Sequence, residues 1–155
     1  MADDAAQALW QQYCQATGAD PSSLDAVERF GDSAEMADEL LGLVLDGKKT
    51  ATAGLARGYT AADEAPSDVG GHWIVLDGRG VPRCVLRTTE IRLGTLDSVD
   101  DAFAWDEGEG ERTRDWWLDA HRRFFLRQCE RDDVPFDEKT DVVVFERFEV
   151  VWTQH

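Results

Sequence analysis

Residues 72–96 constrain the fold most: HWIVLD, then GRGV, then PRCVLRTTEIRLGTL. Two runs rich in Val, Ile, Leu and Thr flank a short connection with two glycines, the signature of a β-hairpin. A further run, DVVVFERFEVVW at 141–152, reads as a strand alternating about Arg147 and Glu149. Helical segments interrupt the strands too irregularly for a doubly wound parallel sheet. The pattern therefore predicts an α+β fold, a small curved β-barrel decorated with about three helices.

The helices are legible from their spacing. Ala6, Leu9, Trp10, Tyr13 and Cys14 predict an amphipathic helix over 4–17, ended by Gly18 and Pro21. AVERF at 26–30 reads as a short strand. In 31–47, Asp32 or Ser33 offers a cap, Met36, Leu40, Leu41, Val44 and Leu45 form the expected buried stripe, and Gly47 is the stop. KKTATAGLA then reads as a strand whose Lys-Lys end can still lie in the turn. In 112–129, Trp116, Trp117, Ala120, Phe124 and Cys129 fall near one helical face. Gly58, Pro66, Gly70 and Gly71 mark 56–71 as a long loop of the kind that covers a site.

A chain of 155 residues suits one domain over 1–155. It has no stretch apolar enough for a membrane helix, and its acidic N-terminus does not resemble an export signal, so the cytoplasm is the expected location. Cys14, Cys84 and Cys129 are far apart and lack a CxxC, which fits reduced thiols better than disulfides or zinc. His72, His121 and His155 show no metal-ligand spacing, and no resident cofactor is expected. The formal charge of −16 opposes binding of a long polyanion such as duplex DNA. A nucleoside or a short single-stranded RNA avoids most of that repulsion.

Gly47, Lys49 and Thr52 spell GxKxxT at a helix-to-strand junction. A bland reading is available: a lysine at a helix C-terminus gains about 0.3–1 kcal/mol from the macrodipole, and threonine favours strands. Lys48 reads as a solvated charge that adds local positive potential. DSVDDAFAWDEGEGE, residues 97–111, carries seven acids and no base and reads as a solvated loop, with Phe103 and Trp105 able to stack a base at a rim. RTRDWWLDAHRRFFLRQ gathers five arginines among aromatics and is the most plausible basic surface. His121 on that helix suits packing or hydrogen bonding as readily as substrate contact.

FGDSAEMADELLGLVLDGKKTAT, DGRGVPRCVLRTTEI, FAWDEGEGERTRDWW, HRRFF and VVVFERFEVVW together resemble the ASCH domain family, which has a PUA-like barrel. The resemblance covers residues 27–152, and residues 1–22 resemble a helical extension of bacterial members of this size. It implies RNA-related or nucleoside-related function, with a ligand cleft beside GxKxxT. Some small members resemble amide hydrolases of acetylated cytidine, built on a lysine, a threonine and a later glutamate; others are similar to nucleases for single-stranded RNA. By that resemblance Lys49 is the base, Thr52 the nucleophile and Glu107 the carboxylate, an alignment that can slip to Asp106 or Glu109. Gly47, Lys48, Phe103, Trp105 and His121 are the accompanying substrate contacts. A divalent ion enters only if the nuclease reading holds; a non-catalytic RNA-binding module and a small-molecule sensor that merely keeps the pocket are the further alternatives.

Chemistry adds two demands. Lysine takes a proton from threonine only when neutral, so Lys49 must be shielded from water. In an ideal strand, positions 49 and 52 face opposite ways, so the junction must be irregular.

Overall fold

The computed structural model describes residues 2–57 and 68–154. In chain order the elements are α1 (Ala2–Thr17), β1 (Leu24–Glu28), α2 (Ala34–Leu45), β2 (Ala51–Leu55), β3 (His72–Leu76), β4 (Pro82–Gly94), α3 (Asp101–Glu107), α4 (Arg114–Arg131) and β5 (Val143–Thr153). The strands form one mixed sheet in the order β1-β3-β4-β5-β2. β1 runs parallel to β3, and every other pairing is antiparallel. Register shifts at Val85/Leu86 and Thr88/Glu90 interrupt the long β4–β5 ladder. Such bulges bend strands and increase their twist, and the sheet curls into a half-barrel.

The expected hairpin is present as β3 and β4. Asp77 closes its turn: the Asp77 amide donates to the Val81 carbonyl at 2.9 Å, and its side chain accepts from the amides of Arg79 and Val81. Alternation along the strands then sorts the core. Ile74 and Val85 face Leu9, Trp10 and Tyr13 of α1. Trp73, Val75, Cys84 and Leu86 point the other way and pack with Leu40, Leu41 and Val44 of α2. A third cluster joins α3 and α4 to β2 and β5 through Phe103, Trp117, Phe125, Ala51 and Phe145.

Several expectations shift by a residue or an element. Ser33, not Asp32, caps α2, its hydroxyl accepting from the Met36 amide at 3.1 Å. Leu45 is 41% exposed, and Ala37 takes its place in the buried stripe. On α4 the buried line is Trp117, His121, Phe125 and Cys129, leaving Trp116, Ala120 and Phe124 half-buried. The acidic stretch is not a plain loop. Asp100 caps a helix within it, accepting from the Phe103 amide at 2.8 Å, so four helices rather than three flank the sheet among the described residues. Most of the 56–71 loop lies outside the described residues. Among the described residues, no helix is long and apolar enough to cross a membrane. The three cysteines are free, and burial pushes the Cys84 thiol up to about 12.

Candidate functional site

The junction after α2 turns Lys49 inward. The amides of Lys48 and Lys49 both donate to the Leu43 carbonyl, at 3.0 and 3.1 Å, and the Thr50 amide donates to the Asp106 carbonyl at 2.7 Å. β2 begins only at Ala51. The backbone is therefore irregular where Lys49 sits, and Lys49 and Thr52 line the same cavity of about 350 Å3.

α3 delivers Glu107 to that cavity from the other side. Gly108 ends the helix in the left-handed region at φ 72°, and Gly110 follows at φ 56°. A Cβ on Gly108 would stand 2.4 Å from the Lys48 carbonyl oxygen, and one on Gly110 would stand 2.0 Å from the Trp116 ring. Only glycine fits either place. The pair of glycines thus aims the intervening Glu109 at Lys49.

Lys49 is 1% exposed, and its ammonium meets three acceptors. It donates to Glu107 Oε1 at 2.6 Å, to Glu109 Oε2 at 2.9 Å and to the Ala51 carbonyl at 2.8 Å. Those satisfy all three of its donors. Burial pulls the Lys49 pKa down, but the charges of Glu107 and Glu109 outweigh it and leave the pKa above its ordinary value. The shielding demanded of a basic lysine is met, yet in the resting site the group is an ammonium.

Glu107 is equally buried and fully engaged. Its second oxygen accepts from Trp117 Nε1 at 2.5 Å and from His121 Nε2 at 3.0 Å. His121 Nδ1 donates to the Trp117 carbonyl at 2.9 Å. Both partners of His121 are acceptors, so both of its nitrogens donate and the ring is an imidazolium. Burial lowers the His121 pKa, but the Glu107 carboxylate reverses this and holds it above its ordinary value. Trp117 stacks on the imidazolium with ring centroids 3.9 Å apart, fixing its plane.

The two carboxylates are driven apart. Burial alone would raise Glu107, but the charges of Lys49 and His121 push it far below the usual carboxylate range. Glu109 moves the other way: burial, helped by the neighbouring Glu107 charge, raises it despite Lys49. Paired titratable groups with diverging proton affinities are a frequent arrangement for acid–base chemistry.

Lys49, Thr52, Glu107 and His121 all line this one cavity. Gly47, Lys48, Phe103 and Trp105 lie outside the lining of this cavity. Gly47 borders a separate shallow recess with Thr50 and Phe148. Lys48 is exposed, with its carbonyl facing the Arg112 guanidinium. Phe103 is core, edge-on to Phe145 at 5.1 Å. Trp105 is 57% exposed and covered by the Arg112 guanidinium at 3.7 Å from its ring. Glu109, which sequence reasoning offers only as a slip of the Glu107 alignment, stands beside Glu107 in the site, and Trp117 is passed over as a site residue. The signal for the first was the flanking pair of glycines in GEG.

The ASCH domain model matches residues 26–152. The chain belongs to the ASCH domain family. A solved protein from Enterococcus faecalis is 31% identical, with a TM-score of 0.85 over 97% of this chain and 90% of that one. An ASCH domain from Lactobacillus crispatus is 28% identical, with a TM-score of 0.83 over 96% of this chain and 95% of that one. An ASCH protein from Zymomonas mobilis shares the fold at 11% identity and a TM-score of 0.50, over 83% and 70% of the two chains. No curated protein sequence matches the chain. Both high-scoring alignments span nearly the whole chain, so they take in α1 as well as the half-barrel.

Proposed function

We propose that this ASCH domain hydrolyses the exocyclic amide of an acylated cytidine in the cavity that holds Lys49. One observation carries the reading: a buried lysine lies between two carboxylates of opposite proton affinity, beside a threonine that lines the same cavity. RNA-related function in the family supports the ligand class, and the aromatic wall of Phe30, Trp116 and Phe124 supports a flat base.

The resting protonation state determines the order of steps. Glu109, with its raised proton affinity, takes a proton from the Lys49 ammonium once substrate excludes water. Neutral Lys49 then accepts the Thr52 hydroxyl proton as Thr52 Oγ1 bonds to the acyl carbon. The tetrahedral intermediate breaks its C–N bond, and protonated Glu109 delivers its proton to the departing cytosine amine. Water attacks the threonyl ester with Glu109 as base. The threonine oxygen regains a proton from Lys49 as the carboxylic acid leaves, and Lys49 and Glu109 return to their starting states by the same proton exchange. Glu107 orients Lys49 and His121 throughout and is too weak a base to carry the proton.

A divalent ion fits this site poorly. Glu107, Glu109 and His121 each have a ligand atom within 4.8 Å of the others. Yet His121 donates from both nitrogens, and Lys49 already occupies an oxygen of each carboxylate. A metal would have to displace two protons that the site holds tightly.

The test is incubation with acetylcytidine and detection of free cytidine. Turnover should survive chelator and fall to background in Thr52→Val with the thermal transition unchanged. Activity should decline as pH falls through the raised Glu109 pKa, because protonated Glu109 cannot relieve Lys49, and Glu109→Gln should be inactive. An active Thr52→Val variant would eliminate the nucleophile, and cleavage of single-stranded RNA with intact acetylcytidine would replace the reaction.

A further inference from the structure

The cavity has a buried floor and a charged mouth. Lys49 and Glu107 lie at the floor, both 1% exposed. At the mouth, Arg123 and Arg127 come from successive turns of α4, with side chains 63% and 47% exposed. Counting the charged lining, Lys49, His121, Arg123 and Arg127 face Glu39, Glu107 and Glu109. Four cations line the cavity against three carboxylates, and the pairing partners Asp32, Asp119 and Arg131 at its mouth bring the local count to balance, in a chain whose net charge is −16. A surface this acidic repels phosphate almost everywhere, and an arginine-edged opening without net negative charge is where one can approach.

Arg127 is held in a particular way. Its Nε donates to Asp32 Oδ2 at 3.2 Å, and the same oxygen accepts from Arg131 Nη1 at 3.0 Å. Two guanidinium groups thus share one carboxylate oxygen and keep an excess positive charge. The Phe124 ring lies 5.5 Å from the Arg127 guanidinium carbon, beside the cavity. Among the described residues, the Nη groups of Arg127 make no hydrogen bond, so their donors remain available to an incoming group. A planar fork with open donors suits two phosphate oxygens. Arg123, tied to Asp119 in an exposed pair at 3.0 Å, adds charge on the next turn.

We propose that Arg127, supported by Arg123, binds the phosphate ester of a nucleotide whose base enters the cavity. The natural ligand is a phosphorylated nucleoside rather than a free one, either a mononucleotide or the phosphorylated end of an RNA. Asp32 is a positioning residue that fixes the Arg127 fork. The inference rests on the nucleoside reading of the cavity and extends it outward.

Calorimetric titration of the four ribonucleosides and their 5′-monophosphates at low salt tests it. For the preferred base, the monophosphate should bind about tenfold more tightly than the nucleoside. Arg127→Ala should erase that ratio while leaving nucleoside affinity unchanged, Arg127→Lys should restore part of it, and Asp32→Asn should reduce it. Equal affinities in every pair, or a ratio that persists in an Arg123→Ala/Arg127→Ala double variant, overturns the subsite. A 5′-phosphorylated dinucleotide binding as tightly as the mononucleotide assigns the site to an RNA end, and weaker binding assigns it to the free nucleotide. The readout is binding, so it separates from the chemistry: a phosphate ratio on a base other than cytosine sinks the cytidine reaction and keeps the subsite. Acetylcytidine turnover without a phosphate ratio does the reverse.

Discussion

Two buried histidines are held in different charge states, one neutral and one cationic. His72, at the start of β3 beneath α1, meets two hydroxyls: Tyr13 Oη at 3.1 Å from Nε2 and Ser23 Oγ at 3.0 Å from Nδ1. Ser23 Oγ donates its proton to the Asp20 carbonyl at 2.6 Å and so accepts from Nδ1, while Tyr13 Oη can donate to Nε2; a neutral ring is served. Burial, together with the Arg87 charge, lowers its pKa. His121 is buried as well, but its partners are a carboxylate and a carbonyl, and its pKa rises. Burial disfavours the charged ring in both places; the partners decide which ring is charged. A neutral cluster serves to dock a helix, whereas the ionic one holds a reserve of protons beside a cavity.

The sharpest way to break this contrast is to remove the acceptor on the ionic side. Glu107→Leu leaves His121 and Trp117 Nε1 without it and Lys49 with Glu109 as its one carboxylate beside the Ala51 carbonyl. Losing one partner of a buried ion pair costs about 3–5 kcal/mol. Urea unfolding should report a loss of that order, and a loss of 1 kcal/mol or less would mean the ionic network holds the fold no better than the neutral one.

Acid and alkali should then separate the two rings. A histidine raised in the folded state contributes stability that is present below its unfolded pKa of about 6.5 and lost as pH rises through the folded value. His72 is lowered, so its stabilising effect is present above about 6.5 and lost as pH falls through that value toward its folded pKa. Urea midpoints from pH 5 to 9 should therefore show less alkaline loss in His121→Asn and less acid loss in His72→Gln. Parallel profiles for both variants would erase the distinction. The smallest effect belongs to Tyr13→Phe, which deletes one neutral hydrogen bond at about 0.5–1.5 kcal/mol and should leave turnover unchanged.

Alternation and capping made most of the fold readable. HWIVLD and PRCVLRTTEIRLGTL became β3 and β4 because period-two burial and turn chemistry are local signals. α3 escaped notice because DDAFAWDE carries its buried positions, Phe103, Ala104 and Glu107, within a short acidic run, and one of them is a carboxylate. No local rule buries a glutamate; it took Lys49 and His121 arriving from other elements. Lys49 itself was legible through GxKxxT, but its ammonium state was not, since that depends on Glu109 being aimed by its flanking glycines. The stripe on α4 slipped by one residue because Trp116 and Phe124 are as apolar as Trp117 and Phe125, and pattern alone cannot tell a cavity wall from a core.

The strand order also has a consequence in time. β2 pairs with β5, which follows every other described strand in the chain. During synthesis β2 must therefore wait, its backbone unpaired, until Val143–Arg147 has emerged, while the β3–β4 hairpin closes at once through nearby residues. Thr52 belongs to the strand that waits. A chain that stops short of β5 can hold a hairpin and helices, yet its Thr52 has no partner strand to fix it in the wall it shares with Lys49, so the cavity takes shape only once β5 has paired.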